Sequence, residues 1–224
     1  MALYSAIRRF LAVLILAGFC AFAAVPAYAQ GGKAQAEELK KAEMSARAAE
    51  NAKELAKGAP KPVVPASIPL DPANVWVLEL SNGGRVRIQL RPDVAPLNVE
   101  RIKLLTGRGF YNGLKFHRVI DGFMAQGGDP KGDGTGGSTE PDLKAEFSDL
   151  PHMRGTVSMA RAAEDNSANS QFFIMLMPRL ILDHKYTVIG RVIEGMQYVD
   201  AIEKGEPPAN PTSVVRATME GPGA

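Results

Sequence analysis

Cysteine occurs once in the chain, at Cys20, inside an N-terminal stretch that reads as a removable signal, so the remainder has no disulfide framework and no thiol chemistry. Histidine is nearly as scarce. His117, His152 and His184 are scattered, and without cysteine partners they make no zinc spacing. No Asn-x-Ser/Thr acceptor with a permitted middle residue occurs, nor a Lys-Asp-Glu-Leu ending, and both absences lean toward a bacterial periplasm. The chain lacks a G-x-S-x-G elbow, so it advertises no hydrolase nucleophile. It also lacks an excess of either charge. Lys and Arg number 26 and Asp and Glu 24; residues 1–29 hold Arg8 and Arg9 and no acid, so the rest balances at 24 against 24. No global field steers nucleic acid or an anionic membrane, and the expected partners are polypeptides or small molecules.

What is present begins with export. Arg8 and Arg9 precede an uncharged run from Phe10 to Val25, followed by Pro26 and the small-x-small site Ala27-Tyr28-Ala29. The run of 16 residues falls short of the ~20 needed to cross a bilayer. Residues 1–29 are therefore expected to be a cleaved signal peptide, with no stable membrane insertion afterwards and a periplasmic product. Phe19 before Cys20 does not suit lipoprotein processing. Residues 30–73 form a spacer: alanine and mixed charge from Lys33 to Lys57 suit a solvated, partly helical segment, and Pro60, Pro62, Pro65, Pro69 and Pro72 make an extended linker.

A folded domain is expected over 74–219, with 220–224 as a tail. Trp76, Leu78 and Leu80, then Val86, Ile88 and Leu90, alternate around Asn82-Gly83, which predicts a hairpin with one buried face. Pro96, Val99, Ile102 and Leu105 predict a helix that Gly107 and Gly109 end. Gly155–Ala160, Ser170–Leu176, Tyr186–Val192 and Ser213–Met219 read as further strands, and Met196, Val199 and Ile202 share the face of a second helix that runs to Gly205. Many short strands with two helices point to a mainly β fold, an antiparallel barrel or sandwich.

Gly132-Asp133-Gly134-Thr135-Gly136-Gly137 matches the dinucleotide pattern G-x-G-x-x-G, but Ser138-Thr139-Glu140-Pro141 follows and opens no helix to hold a pyrophosphate. These glycines suit a loop lying flat beside a ligand backbone. Asp129 and Asp133 lack the spacing and terminal glutamate of a calcium loop. No metal and no cofactor is expected. Taken singly, Phe123, Met124, Phe173 and Leu182 read as core, Arg118 as a surface or ion-paired arginine, and Gln126 says almost nothing.

Taken together they say more. Phe116-His117-Arg118-Val119-Ile120, Gly122-Phe123-Met124 and Gln126-Gly127-Gly128-Asp129 closely resemble the signature of cyclophilins, the prolyl cis/trans isomerases or rotamases. The resemblance continues in order through Gly134–Gly137, Ser158–Arg161, Asn169–Ile174, Leu182-Asp183, Tyr186–Val192 and Glu194–Met196. It implies an eight-stranded antiparallel barrel capped by two α-helices, and isomerase activity on proline-containing polypeptides, with a monomer expected. By motif, the catalytic arginine falls on Arg118 and Gln126 stands beside it. Phe123, Met124, Phe173 and Leu182 form the proline pocket, and Met159, Ala160, Arg161 and Tyr186 contact the peptide. The chain departs from many eukaryotic members in carrying Ile181 where they have tryptophan, whose indole N–H is associated with cyclosporin binding. A proline-binding chaperone without turnover is the competing expectation.

Overall fold

The computed structural model describes residues 65–221; the expected signal peptide, the spacer up to residue 64 and residues 222–224 lie outside the described residues. Eight strands run as β1 (Val75–Leu80), β2 (Arg85–Leu90), β3 (Arg118–Ile120), β4 (Met124–Gly127), β5 (Thr156–Met159), β6 (Phe172–Met175), β7 (Val188–Glu194) and β8 (Val214–Met219). Among the described residues two α-helices accompany them, α1 (Pro96–Gly107) and α2 (Met196–Asp200). The strands form one sheet in the order β3-β4-β6-β5-β7-β2-β1-β8, every pairing antiparallel. The sheet curls until its edges meet. The Phe116 N–H donates to the Thr212 carbonyl at 2.9 Å, and Val214 N–H donates to Leu114 at 2.8 Å, just ahead of β3 and at the start of β8. The mainly β, eight-stranded, barrel-like architecture with two helices agrees with expectation.

The hairpin β1–β2 closes through Leu80 N–H to the Gly84 carbonyl at 2.8 Å, and Gly83 supplies the left-handed φ of 80° that the turn needs. Its expected single buried face is corrected for β1, where Val75 and Val77 are buried as well as Trp76 and Leu78. Val77 lies between Arg87 and Thr218, and Val75 opposite Gln89. Cross-strand partners share a face, and these long side chains cover the valines. Arg87 is held over the sheet by ion pairs to Glu194 and Glu220 at 2.8 and 2.7 Å.

The inner faces meet in a core centred on Trp76, Tyr111, Phe116 and Phe172, all fully buried. Their rings pack edge to face, Trp76 at 5.1 Å from Tyr111 and 4.9 Å from Phe172, the arrangement that ring quadrupoles favour. Val99, Ile102 and Leu105 of α1 bury against this core as their spacing requires.

Helix α1 has Pro96 at its first turn but Ala95 at its N-cap, which cannot accept from the free N–H groups. The carboxylate of Glu146, from a distant loop, replaces the missing cap. It accepts from Leu97 N–H at 3.1 Å, Asn98 N–H at 3.0 Å and the Asn98 side chain at 2.7 Å. Helix α2 is shorter than its apolar pattern suggested, ending at Asp200 rather than near Gly205. Lys204 folds back to donate to the carbonyls of Asp200 and Ile202, satisfying the groups that another turn would have used.

Part of the proline-rich segment packs on the domain. Buried Arg91 grips Asp93 through two bonds of 2.8 and 2.7 Å and donates to the Pro65 carbonyl at 2.8 Å, while Gln89 donates to Ile68 and Pro69.

Candidate active site

The hairpin β3–β4 has a two-residue side-chain period that sorts its residues between two interiors. Val119 and Ala125, direct partners in the ladder, point into the main core. Arg118 opposite Gln126, and Ile120 opposite Met124, share the other face. Strand β6 continues the division: Phe172 and Ile174 join the main core, whereas Phe173, opposite Gln126, and Met175, opposite Met124, join a second apolar cluster. That second cluster, Met124, Ala160, Phe173 and Met175 with Phe123, Leu182 and Tyr186 packed on it, underlies a surface cavity of about 630 Å³, which all of these but Met175 line.

Nine of the ten site residues expected from sequence line this cavity: Arg118, Phe123, Met124, Gln126, Ala160, Arg161, Phe173, Leu182 and Tyr186. Met159 does not join them. It is 1 % exposed and packs in the main core, because on β5 it lies opposite Phe172, whose face is the inner one. The two residues that follow it, Ala160 and Arg161, are the ones that reach the cavity.

The polar side of the cavity is braced from behind. Gln126 donates to the Gln171 side-chain oxygen at 2.8 Å, and Gln171 donates to the carbonyls of Gly134 and Gly136 at 3.0 and 2.8 Å. One side chain thus ties the glycine loop to Gln126. The loop is also gathered around Asp129, 1 % exposed, which accepts from the backbone of Lys131, Asp133 and Gly134 at 2.8, 3.1 and 2.6 Å. Burial works to raise the Asp129 pKa, but these N–H donors outweigh it and hold the carboxyl below the usual carboxylate range. Gly132, Asp133 and Gly134 line the cavity, so the glycines serve as wall rather than phosphate cradle.

On the opposite side, Arg161 is spent on its own loop and on Lys185 of the β6–β7 connection. It donates to the carbonyls of Lys185, Ala162 and Ala163, pairs with Asp165 at 3.0 Å and lies 5.0 Å from the Tyr186 ring centre. Ala160 N–H donates to Gln171 at 2.9 Å, which leaves its carbonyl as the backbone group to offer a ligand. Arg118 differs. Its Nε donates to the Glu206 carboxylate at 2.7 Å, and its Nη groups have no hydrogen-bond partner among the described residues.

Beneath the apolar wall lies a largely buried Ser-His-Asp arrangement, with Asp183 partly exposed, that sequence reasoning missed. The Asp183 carboxylate accepts from His152 at Nδ1 at 2.8 Å, and Ser158 Oγ donates to Nε2 at 3.0 Å, an assignment that follows because a carboxylate only accepts. Ser158 and His152 are fully buried and neither lines the cavity, so no substrate carbonyl reaches the hydroxyl. Burial lowers the His152 pKa, against the opposing pull of Asp183, and the ring is neutral. Its role is support: the imidazole stacks on Phe173 and meets Tyr186 edge-on. His117, Glu206 and Pro207, also in the cavity wall, were missed too. His117 has no metal partners in the sequence to mark it, and nothing local in Gly205-Glu206-Pro207-Pro208 distinguishes it from a turn.

Comparison with known proteins places the chain in a family. The model of the family described as cyclophilin type peptidyl-prolyl cis-trans isomerase/CLD matches residues 76–219. A probable peptidyl-prolyl cis-trans isomerase of Brucella suis is 50% identical over 166 residues, covering 67% of this chain and 84% of that one. Peptidyl-prolyl cis-trans isomerase B of Bacillus subtilis is 40% identical over 129 residues, covering 57% and 89%. Among solved structures, cyclophilin AquaCyp293 of Hirschia baltica is 32% identical with a TM-score of 0.62, covering 67% of this chain and 75% of its own. A Cryptosporidium parvum cyclophilin solved in the presence of the dipeptide Ala-Pro is 26% identical with a TM-score of 0.61, covering 66% and 99%. With the family model spanning well over half of its length, the chain belongs to the cyclophilin type peptidyl-prolyl cis-trans isomerases.

Proposed function

We propose that this isomerase turns Xaa-Pro bonds in exported polypeptides and so assists their folding in the periplasm, with Arg118 as the residue that lowers the barrier. The observation that carries the site assignment is the meeting of Arg118 and Gln126, cross-strand partners, with the apolar floor of Phe123, Met124, Phe173 and Leu182 in one cavity.

The physical task is modest in kind and large in size. Delocalisation of the nitrogen lone pair gives the peptide C–N bond a barrier of ~18–20 kcal/mol, and before proline unaided exchange takes roughly tens to hundreds of seconds. No bond need form or break. In the twisted state conjugation is lost and the nitrogen becomes a better acceptor, so a donor placed there binds that state more tightly than either planar isomer. In this reading an Nη group of Arg118 is that donor, and a second steadies a substrate carbonyl, since the guanidinium is a fixed fork of several N–H groups. The apolar floor holds the proline ring, and Gln126 with the Ala160 carbonyl guides the segment that swings. Each ~1.4 kcal/mol removed from the barrier gives a tenfold rate, so two or three preorganised contacts supply a large acceleration.

Export rests on the Arg8-Arg9 start, the apolar run and the Ala27-Tyr28-Ala29 site. N-terminal sequencing of the product recovered from the periplasm tests it: Gln30 as first residue is expected, and an intact residue 1 speaks for a retained anchor. A protease-coupled exchange assay on a short Xaa-Pro peptide tests turnover, and peptide binding without turnover speaks for a chaperone instead.

A further inference from the structure

A segment from the far end of the chain completes the cavity. Gly205 and Val119 exchange backbone hydrogen bonds of 2.8 and 2.9 Å, which moors the loop after α2 beside β3 one residue from Arg118. The loop is stiff. Pro207, Pro208 and Pro211 fix their own φ angles, and Gly205, at φ 146°, has no room for a side chain: a Cβ there would stand 2.6 Å from Pro208 Cα and 2.8 Å from the Pro207 carbonyl. Glu206 is thereby presented at the cavity wall, 88 residues along the chain from the arginine it meets.

The pairing leaves valence on both sides. Arg118 spends only Nε on Glu206, and Glu206 spends only Oε2; its second oxygen has no partner among the described residues. Both side chains remain about half exposed, at 42% and 50%, so a ligand can reach them without displacing either. Charge is balanced across the cavity. Of its charged lining, Arg118 and Arg161 oppose Asp133 and Glu206. Asp133 accepts from the backbone and hydroxyl of Thr135 at Oδ1 and makes no pair with Arg118, and Arg161 already pairs with Asp165. Glu206 is the anion with an unengaged oxygen beside Arg118, and without it the lining becomes net cationic.

We infer that Glu206 is a specificity-determining residue, which favours substrates carrying lysine or arginine next to the proline and disfavours those carrying a carboxylate there. This rests on Arg118 marking where the Xaa-Pro bond lies. A cationic side chain finds the free carboxylate oxygen, whereas an acidic one faces Glu206 and competes with it for Arg118.

The test compares peptides of the form Ala-Xaa-Pro-Yaa in which Xaa or Yaa is Lys, Gln or Glu. Exchange is read by NMR, which needs no coupling protease, and binding of the same peptides by calorimetry. The lysine-to-glutamate ratio of kcat/KM is taken within each enzyme, so a general change in activity cancels. At low salt we expect a ratio of about five to ten in the native enzyme for at least one of the two positions, the scale of one exposed charge pair gained against one opposed. It should contract at about 1 M salt, where the screening length is roughly 3 Å. Glu206→Gln should bring the ratio near one and Glu206→Lys should invert it. A ratio near one in the native enzyme at both positions, or one that both variants leave unchanged, overturns the inference. Absence of turnover on every peptide would count against the isomerase reading instead, and the same ratio of binding constants would still decide the role of Glu206.

Discussion

Gln126 and Gln171 are joined side chain to side chain at 2.8 Å, and through Gln171 the β3–β4 hairpin is fastened to the glycine loop in the cavity wall. Gln126 is thus oriented from behind, with its carbonyl oxygen left for a ligand.

Replacing Gln171 by alanine frees both ends of this relay without touching the cavity lining. A hydrogen bond of this kind is worth about 1 kcal/mol, or a roughly fivefold change. We expect Gln171→Ala to raise KM by about that factor with kcat less affected, measured by steady-state exchange kinetics; an unchanged KM contradicts the relay.

Glu146 stands in for the N-cap that Ala95 cannot supply. Loss of such a cap costs about 1–2 kcal/mol. Glu146→Ala should lower the denaturation midpoint accordingly at unchanged m-value, with Glu146→Gln intermediate because it keeps an acceptor but loses the charge. Equal stability of all three forms would remove the capping role.

Burial pushes the pKa of both His152 and His117 below the usual imidazole value. The unfolded chain therefore takes up protons that the folded chain refuses. Their contribution to stability is complete above the unfolded value of about 6.5 and is lost as pH falls below it, at up to about 1.4 kcal/mol per pH unit for each ring. Unfolding free energies should be flat from pH 8 to 7 and decline between pH 6.5 and 5, before the carboxylates titrate. Stability that holds or rises over that lower interval is the contrary result.

Ile181, the position that the resemblance sets against the tryptophan of many eukaryotic members, is 72% exposed, does not line the cavity and offers no side-chain donor. Cyclosporin should inhibit weakly, in the micromolar range or above, in a titration of isomerase activity. Tight nanomolar inhibition would show that another group supplies the contact.

Much of the site was legible because one local segment carries it. Period two along β3 and β4 places Arg118, Ile120, Met124 and Gln126 on one face, so a contiguous motif becomes a contiguous surface. Phe173 and Leu182 followed by family resemblance rather than by pattern, since an apolar residue in a short strand reads the same whether it faces core or ligand. Met159 shows the limit of that route: one step along β5 reverses the face, and the motif alone does not say which neighbour offers side chain and which offers backbone. Glu146, Glu206 and the Ser158-His152-Asp183 set were illegible for a different reason. Each acts on a partner distant in sequence, and such polar pairings depend on loop paths that no local periodicity encodes.

In the proposed mechanism the forked donor of Arg118, and not its charge alone, stabilises the twisted peptide bond. Arg118→Lys keeps the charge and loses the fork, and kcat/KM for Xaa-Pro exchange measures the difference directly. A fall of about 100- to 1000-fold is expected, the scale of losing one preorganised donor to a transition state, with peptide binding and thermal stability little changed. Full activity in Arg118→Lys would contradict it.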